Sequence, residues 1–313
     1  MTGYIARRLL ALVPVLALVG VLAFLLLHAT PSDPAAIMAG DLASREQYEQ
    51  IRSAMGLDRP FFVQMGLWFK QVLQGDLGTS IFSGKSVVTL MAPRLQATVS
   101  LTIYGEFLAI LMGLSLGILA AWKARTWVDR AAMAFSIVGY SMPIFWLGFN
   151  LIWLFALKLP LFPVIGYVPF SEGFLPFVRA LTLPALTCAL VLSALIVRMT
   201  RSSMLEVLSE DYIRTARAKG LRERTVIVTH ALKAAANPIL TIVGLQLATM
   251  VTGVIVVETV FAIPGLGRLV VDAITRRDFP VIQGMLIAVA VVYVLVNLII
   301  DLAYSVADPR IRY

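Results

Sequence analysis

Cysteine and histidine are nearly missing from this chain, which has one cysteine, Cys188, and two histidines, His28 and His230, among 313 residues. A lone cysteine excludes an internal disulfide framework and a cysteine-based metal cluster, and its place inside an apolar run points to packing. The two histidines are separated by most of the chain and fall on opposite sides of the topology derived below. A histidine-based metal site or catalytic triad within one chain is therefore not expected. No HExxH, GxSxG, Gly-rich dinucleotide fingerprint or true Walker sequence occurs. The expectation is no catalytic residue and no metal.

Charge is scarce too. Asp, Glu, Lys and Arg make up 14% of the residues against 59% hydrophobic, and the mean hydropathy is +0.88. A soluble domain has nowhere to put that much apolar surface, so the composition implies an all-α integral membrane protein. The net charge of +8 would suit nucleic acid, but much of the positive charge flanks apolar runs. Membrane topology explains it without a nucleic-acid partner.

Six apolar runs organise the sequence. Arg7 and Arg8 precede the first, about Leu9 to His28, which approaches the ~20 residues needed to span a bilayer and lacks a convincing small-x-small cleavage pattern. Residues 1–28 are read as a cytoplasmic N-terminus and retained first span, 29–97 as an extracytoplasmic segment, and 98–313 as a five-helix core. The second run is about Thr98 to Trp122 and contains Gly113-x3-Gly117, a spacing that lets another helix approach closely. Its odd residue is Glu106, which should face protein or water. The third, about Ala131 to Leu157, holds Pro143, which predicts a break around Ser141 to Pro143. The fourth is about Leu181 to Met199, the fifth Pro238 to Val260, and the sixth Val281 to Val306. More than half of the 26 Lys and Arg fall in the four pieces this topology leaves in the cytoplasm, both termini included.

One motif is a decoy. Gly78 to Ser86, G-T-S-I-F-S-G-K-S, resembles a phosphate-binding loop, but five residues intervene where the Walker spacing requires four.

The densest charge lies between the fourth and fifth runs, at Ser209 to Pro238. Residues 209–238 are read as a folded cytoplasmic loop that opens on a short helix. Ser209 is the expected N-cap, Glu210 and Asp211 sit where the helix dipole favours negative charge, and Arg217 and Lys219 complement the other end. Gly220 should stop the helix in a left-handed conformation. Ile213, Ala216 and Leu221 give an apolar side, and Arg214, Arg217 and Arg222 supply charge, a surface suited to docking in a groove of another protein. In the fifth run, Gln246, Thr249 and Gly253 share one helix face, with Thr252 and Glu258 toward the outer end. They are candidates to line a pathway or to pack against neighbouring helices. From the residues alone, an ion-coupled secondary transporter and a non-transporting membrane scaffold both stay open.

The Ser209 to Pro238 stretch resembles the cytoplasmic loop of permease subunits of ATP-binding-cassette importers. Tyr-Ile-Arg-Thr-Ala-Arg-Ala-Lys-Gly-Leu, Tyr212 to Leu221, is similar to the form found in the dipeptide, oligopeptide and nickel group. Further matches run in order along the chain: R-R-L-L at Arg7 to Leu10, G-D-L-G-T-S at Gly75 to Ser80, S-M-P-I-F-W-L-G at Ser141 to Gly148, L-P-A-L at Leu183 to Leu186, E-T-V-F-A-I-P-G-L-G at Glu258 to Gly267, and the terminal D-P-R. Together they resemble the dipeptide-permease B type. The general family loop reads Glu-Ala-Ala-x3-Gly; with its Gly on Gly220, Arg214, Thr215 and Ala216 take the first three places, and the later proline is delayed to Pro238.

The resemblance implies a type I ABC importer permease fold of six transmembrane helices with a short cytoplasmic coupling helix, in the bacterial cytoplasmic (inner) membrane. The implied partners are a second homologous permease, two ATPase subunits that carry ATP and Mg, an extracytoplasmic solute-binding protein, a di- or oligopeptide substrate, and membrane lipid. No cofactor is expected on this chain. Tyr212, Ile213, Arg214, Thr215, Ala216, Arg217, Ala218, Lys219, Gly220 and Leu221 are the implied ATPase-coupling residues. The outer segments 30–94 and 261–280 are expected to receive the binding protein. A nickel-chelate importer is the alternative within the group.

Overall fold

A computed structural model describes residues 2–29, 33–40 and 43–307, which are helical and irregular apart from one isolated β-bridge between Thr79 and Ser86. The terminal Asp308-Pro309-Arg310 and the 30–32 stretch lie outside the described residues. The helices are α1 (Thr2–Ala29), α2 (Pro34–Ala39), α3 (Arg45–Ala54), α4 (Phe61–Leu73), α5 (Val87–Trp122), α6 (Trp127–Ser141), α7 (Ile144–Leu151), α8 (Phe174–Leu208), α9 (Asp211–Ala218), α10 (Glu223–Thr225), α11 (Leu232–Ala234), α12 (Ala236–Val260), α13 (Leu266–Arg276) and α14 (Phe279–Ala307). A π-helical stretch, Ile152–Lys158, continues α7, and another, Val226–Ala231, joins α10 to α11.

All six apolar runs fall on helices. Val87–Trp122, Phe174–Leu208 and Phe279–Leu298 are each long and apolar enough to cross a membrane, and two bent pairs raise the number to as many as five. One pair, Trp127–Ser141 with Ile144–Lys158, bends by 108° at the break that Pro143 predicts. The other, Glu223–Ala234 with Ala236–Met250, bends by 63°. The chain is thus a multi-pass helical membrane protein, and α1 carries the shorter apolar stretch Val13–His28. α5 begins at Val87 rather than near Thr98. Pro93, Arg94 and Gln96 end the apolar run there without ending the helix, because hydropathy marks burial in lipid and not hydrogen bonding.

Two compact units are distinguished, Met1–Leu95 with Leu269–Val294, and Gln96–Arg268 with Leu295–Tyr313. In the first, α2 and α3 are fixed by their caps: Asp33 accepts from the Ala35 N–H ahead of Pro34, and Ser44 and Gln47 form a reciprocal capping box. The phosphate-loop decoy is a turn closed by the Thr79–Ser86 bridge, in which the Ser80 hydroxyl donates to Asp278 at 2.5 Å. Ser80 is buried, whereas Thr79, Ser83, Lys85 and Ser86 are exposed.

In the second unit α8 is the organising helix, packed against α6, α7 and α12 and the most buried of the long helices. Gly113 and Gly117 do allow a close approach, since a Cβ at Gly113 would lie 2.5 Å from Ile196 and one at Gly117 2.6 Å from Thr200, both on α8. α6 is tied to α8 by the Ser136 hydroxyl, which donates to the Ala194 carbonyl, and by Arg201, which donates to both oxygens of Asp129 at 2.5 and 2.8 Å. Asp129 also accepts from the Arg125 N–H, at 2.9 Å, and so holds the turn before α6, where Arg125 has a positive φ of 65°. Asp129→Ala would leave the Arg201 guanidinium and this N–H without their carboxylate. A loss of roughly 3 kcal/mol in stability is expected, read as a lower melting temperature of the solubilised protein. A melting curve unchanged from wild type would remove the pair from the determinants of the fold.

Candidate functional site

The short helix after α8 forms as expected, with one change at its start. Ser209 does not cap it; α8 runs through Leu208, so Ser209 is the α8 terminus, helical at φ −85° and ψ −12°, and its hydroxyl donates to the Glu206 carbonyl. Glu210, extended at φ −70° and ψ 149°, is the N-cap of α9, without a side-chain cap bond. Asp211 lies in the first turn and Arg217 in the last, as the helix dipole favours. Gly220 has φ +77°, and its N–H donates to the Arg217 carbonyl at 2.9 Å, turning the chain out of α9.

α9 is rooted by two side chains. Ile213 and Ala216 are buried in a cluster with Ala121, Met204, Val226, Ile227 and Ala231, with Leu114 and Ile118 of α5 packed against it. The short helix therefore shares a core with the ends of α5 and α8 and with the π-helical stretch that leads to α12. Eight residues would not hold helical form in water alone; this packing supplies what propensity does not. Leu221, expected on the apolar side, is 41% exposed.

The other face of α9 is open, with Tyr212, Arg214, Thr215, Arg217, Ala218 and Lys219 exposed. Arg214 pairs with Asp211 at 3.2 Å on the surface. Arg217 donates to both oxygens of Glu223, at 3.2 and 2.8 Å, and so clamps α9 to α10 across the Gly220 turn. Those hydrogen bonds raise Arg217 above the ordinary guanidinium range. What remains is an exposed face that carries Arg214, Arg217 and Lys219, with Tyr212 at one end.

The fifth-run residues divide by environment. Gln246 is buried, its Nε2 donating to the Leu192 carbonyl at 2.8 Å and its Oε1 accepting from the Thr249 hydroxyl at 3.2 Å. Thr249 is exposed and Gly253 half-buried, so both have an open side. The side chain of Thr252 lies outside the described residues.

Glu258 is fully buried, and its carboxylate organises the loop that follows it. It accepts from the Thr98 hydroxyl at 2.5 Å and from the Arg268 N–H at 3.1 Å. Thr98 in turn accepts from the Leu266 N–H at 2.8 Å. The first N–H groups of α13, which have no partner within the helix, are thus satisfied by one carboxylate and one hydroxyl. A Cβ on Gly265 would fall on the Glu258 carboxylate, and one on Gly267 would come within 2.6 Å of the Ile255 Cα. The Glu258 to Gly267 motif records this cage in its glycines, a signal readable only once the chain is seen to double back.

Glu106 is buried as expected, and neither carboxylate oxygen has a hydrogen-bond partner among the described residues. Among the described residues no group of His, Cys, Asp and Glu is arranged to hold a metal.

Comparison with known proteins agrees with this architecture. The family described as "Binding-protein-dependent transport system inner membrane component" matches residues 113–313. The family described as "Binding-prot-dependent transport system membrane comp, N-term" matches residues 1–102. A probable peptide ABC transporter permease protein, y4tP, of Sinorhizobium fredii is 47% identical over 310 residues, covering 99% of each chain. The dipeptide transport system permease protein DppB of Escherichia coli (strain K12) is 42% identical, over 100% of this chain and 99% of its own. DppB of Alkalihalophilus pseudofirmus is 41% identical over the full length of both. Among solved structures, the MetNI methionine ABC transporter in an inward-facing conformation superposes with a TM-score of 0.59 at 17% identity, covering 70% of this chain and 96% of that one. An amino acid ABC transporter chain gives 0.52 at 17% identity, covering 69% and 92%. These two share the fold, that of a type I ABC importer permease. The chain belongs to the family of binding-protein-dependent transport system inner membrane components.

Proposed function

We propose that this chain forms half of the translocation pathway of an ATP-driven importer of di- or oligopeptides, and couples that pathway to ATPase subunits through α9. The observation that carries the coupling role is the double nature of α9: Ile213 and Ala216 lie in a core shared with α5 and α8, while the opposite face is exposed and basic. A partner that grips the exposed face and moves it moves the ends of the membrane helices with it. The names of the peptide and dipeptide permeases at 41–47% identity support a peptide substrate. A nickel chelate is the other cargo considered.

In this reading a second homologous permease completes the pathway. Two ATPase subunits hold ATP and Mg and do the hydrolysis, and this chain holds no cofactor. A solute-binding protein delivers substrate from outside. ATP-driven closure of the ATPases shifts α9, and access switches across the membrane. Thr249 and Gly253, on the open side of α12, meet the substrate; Gln246 orients Thr249, and Glu258 stands toward the outer end. Both termini and residues 209–238 are cytoplasmic, and 29–97 lie outside.

Reconstitution tests the function. With both permeases, the ATPases and the binding protein in proteoliposomes, peptide uptake should require ATP and the binding protein. Uptake driven by an ion gradient without ATP would replace this reading with a secondary transporter. Orientation is tested in a Cys188→Ser background with Gln50→Cys and an impermeant thiol reagent on intact cells. Labelling is expected without disruption; labelling only after the membrane is broken would invert the topology.

A further inference from the structure

α4 differs from its neighbours in the segment that follows α1. α3 carries Arg45, Glu46, Glu49 and Arg52 in ten residues, whereas the thirteen of α4 carry a single charge, Lys70. One side of α4 packs on α1. Phe61 lies 5.1 Å from His28 and 5.4 Å from Phe24 between ring centroids, and Trp68 lies 5.8 Å from Phe24. Phe69 sits so close to Gly20 that a Cβ there would come within 2.7 Å of its ring. From His28 back to Gly20 is eight residues of helix, about 12 Å along the axis. The rings of α4 thus reach two turns down the apolar stretch Val13–His28, whose other sides expose Val13, Leu18 and Leu22.

The opposite side of α4 is apolar and bare. Phe62 is 77% exposed and Leu73 85%, with Val63 and Leu67 also exposed, and the four fall on one broad helix face. In water such a face would be an aggregation liability. Beside an apolar membrane helix it has a ready occupant.

We propose that α4 is a lipid-facing helix laid along α1, with Phe62, Val63, Leu67 and Leu73 buried in lipid of the leaflet on the His28 side of α1. Continuity carries the choice of occupant: α4 extends the lipid-facing surface of α1, and a helix packed two turns down a membrane span lies below the headgroups. Lys70, beside Phe69 at the end of α4 nearest Gly20, is the one charge this placement has to carry, its stem lying along the apolar surface toward the headgroups. Gln64 keeps its polar end toward the 57–59 turn, donating to the Leu57 and Arg59 carbonyls. The consequence is that α4 is withdrawn from the surface open to a solute-binding protein, and anchors that part of the chain to the bilayer. This inference rests on the membrane-spanning reading of α1 and not on the substrate or the coupling to ATP.

The test uses the full transporter in lipid nanodiscs, with Phe62→Cys and Leu73→Cys made separately in a Cys188→Ser background and labelled with bimane. Glu49→Cys on α3 is the water-exposed control. Both α4 positions should be quenched by lipids carrying an acyl-chain nitroxide, and should react with a charged maleimide about tenfold more slowly than position 49. Rapid labelling with no lipid quenching at both positions would overturn the proposal. So would protection of both by the binding protein rather than by lipid. Both substitutions are at exposed sites, so insertion should be normal; either position alone reports. Neither readout depends on uptake, so failure here is distinguishable from failure of the importer assignment.

Discussion

Gly220→Val should leave the chain inserted and folded in the membrane and strip it of ATP-coupled uptake. Gly220 holds φ +77° and nothing lies within 4 Å of the place a Cβ would occupy. The substitution meets no neighbour, and its whole cost is the backbone conformation. That cost is about 1–2 kcal/mol for an L-residue, higher for a branched one, or a factor of ~5–30 in the population of the correct turn. The turn positions the Arg217–Glu223 clamp, so its loss frees α9 from α10 and changes the angle at which the exposed face is offered. Gly220→Asn, which tolerates the left-handed region, should retain most uptake. Copurified ATPase, substrate-stimulated hydrolysis and uptake, measured together, separate weakened docking from an assembled but uncoupled complex.

The second large effect is expected at Glu258. Glu258→Ala removes the acceptor for the Thr98 hydroxyl and for the Arg268 N–H, at a fully buried position. At about 1–3 kcal/mol for each stranded buried group, the loop to α13 should lose its form. Melting temperature and membrane yield should both fall. Gly265→Ala should be comparably damaging for the opposite reason, because its Cβ falls on the carboxylate. The pair is therefore expected to be strongly non-additive: in the double variant the clash is gone, and the loss should be well below the sum of the single losses. Simple additivity would mean that the carboxylate and the glycine act separately, against the cage described.

Much of this was legible in the sequence, wherever a local rule decides. Pro143 stands at the N-cap of α7 and the chain bends there, whereas Pro14, Pro93 and Pro184 sit inside continuous helices, so a proline marks a break only where the flanking segments also turn. Gly220 adopts the left-handed form its place after Arg217 to Lys219 requires, and Gly113-x3-Gly117 lets α5 approach α8. Ser209 was misleading because helix start signals are ambiguous between two helices only two residues apart: the same serine that caps one can close the other, and the length of α8 decides. The start of α5 was hidden because an apolar window sees lipid exposure and not backbone bonding. Glu258 was legible as unusual but not in its partners. Thr98 is far from it in sequence, and the loop glycines acquire meaning only when the loop folds back onto the carboxylate. Likewise the apolar faces of α4 are visible in its composition, whereas the side that meets α1 is not.

The most direct measurement is site-specific photocrosslinking from Tyr212, which is exposed at the start of α9, in membranes containing the assembled transporter. A photoreactive residue there should be captured by an ATPase subunit, in a yield that changes between nucleotide-free and ATP-bound states. The same probe at Ile213, buried in the core, should crosslink within the chain. Capture only by lipid or by this chain from position 212, with Gly220→Val transporting at the wild-type rate, would show that the loop after α8 is an ordinary connection and that the coupling lies elsewhere.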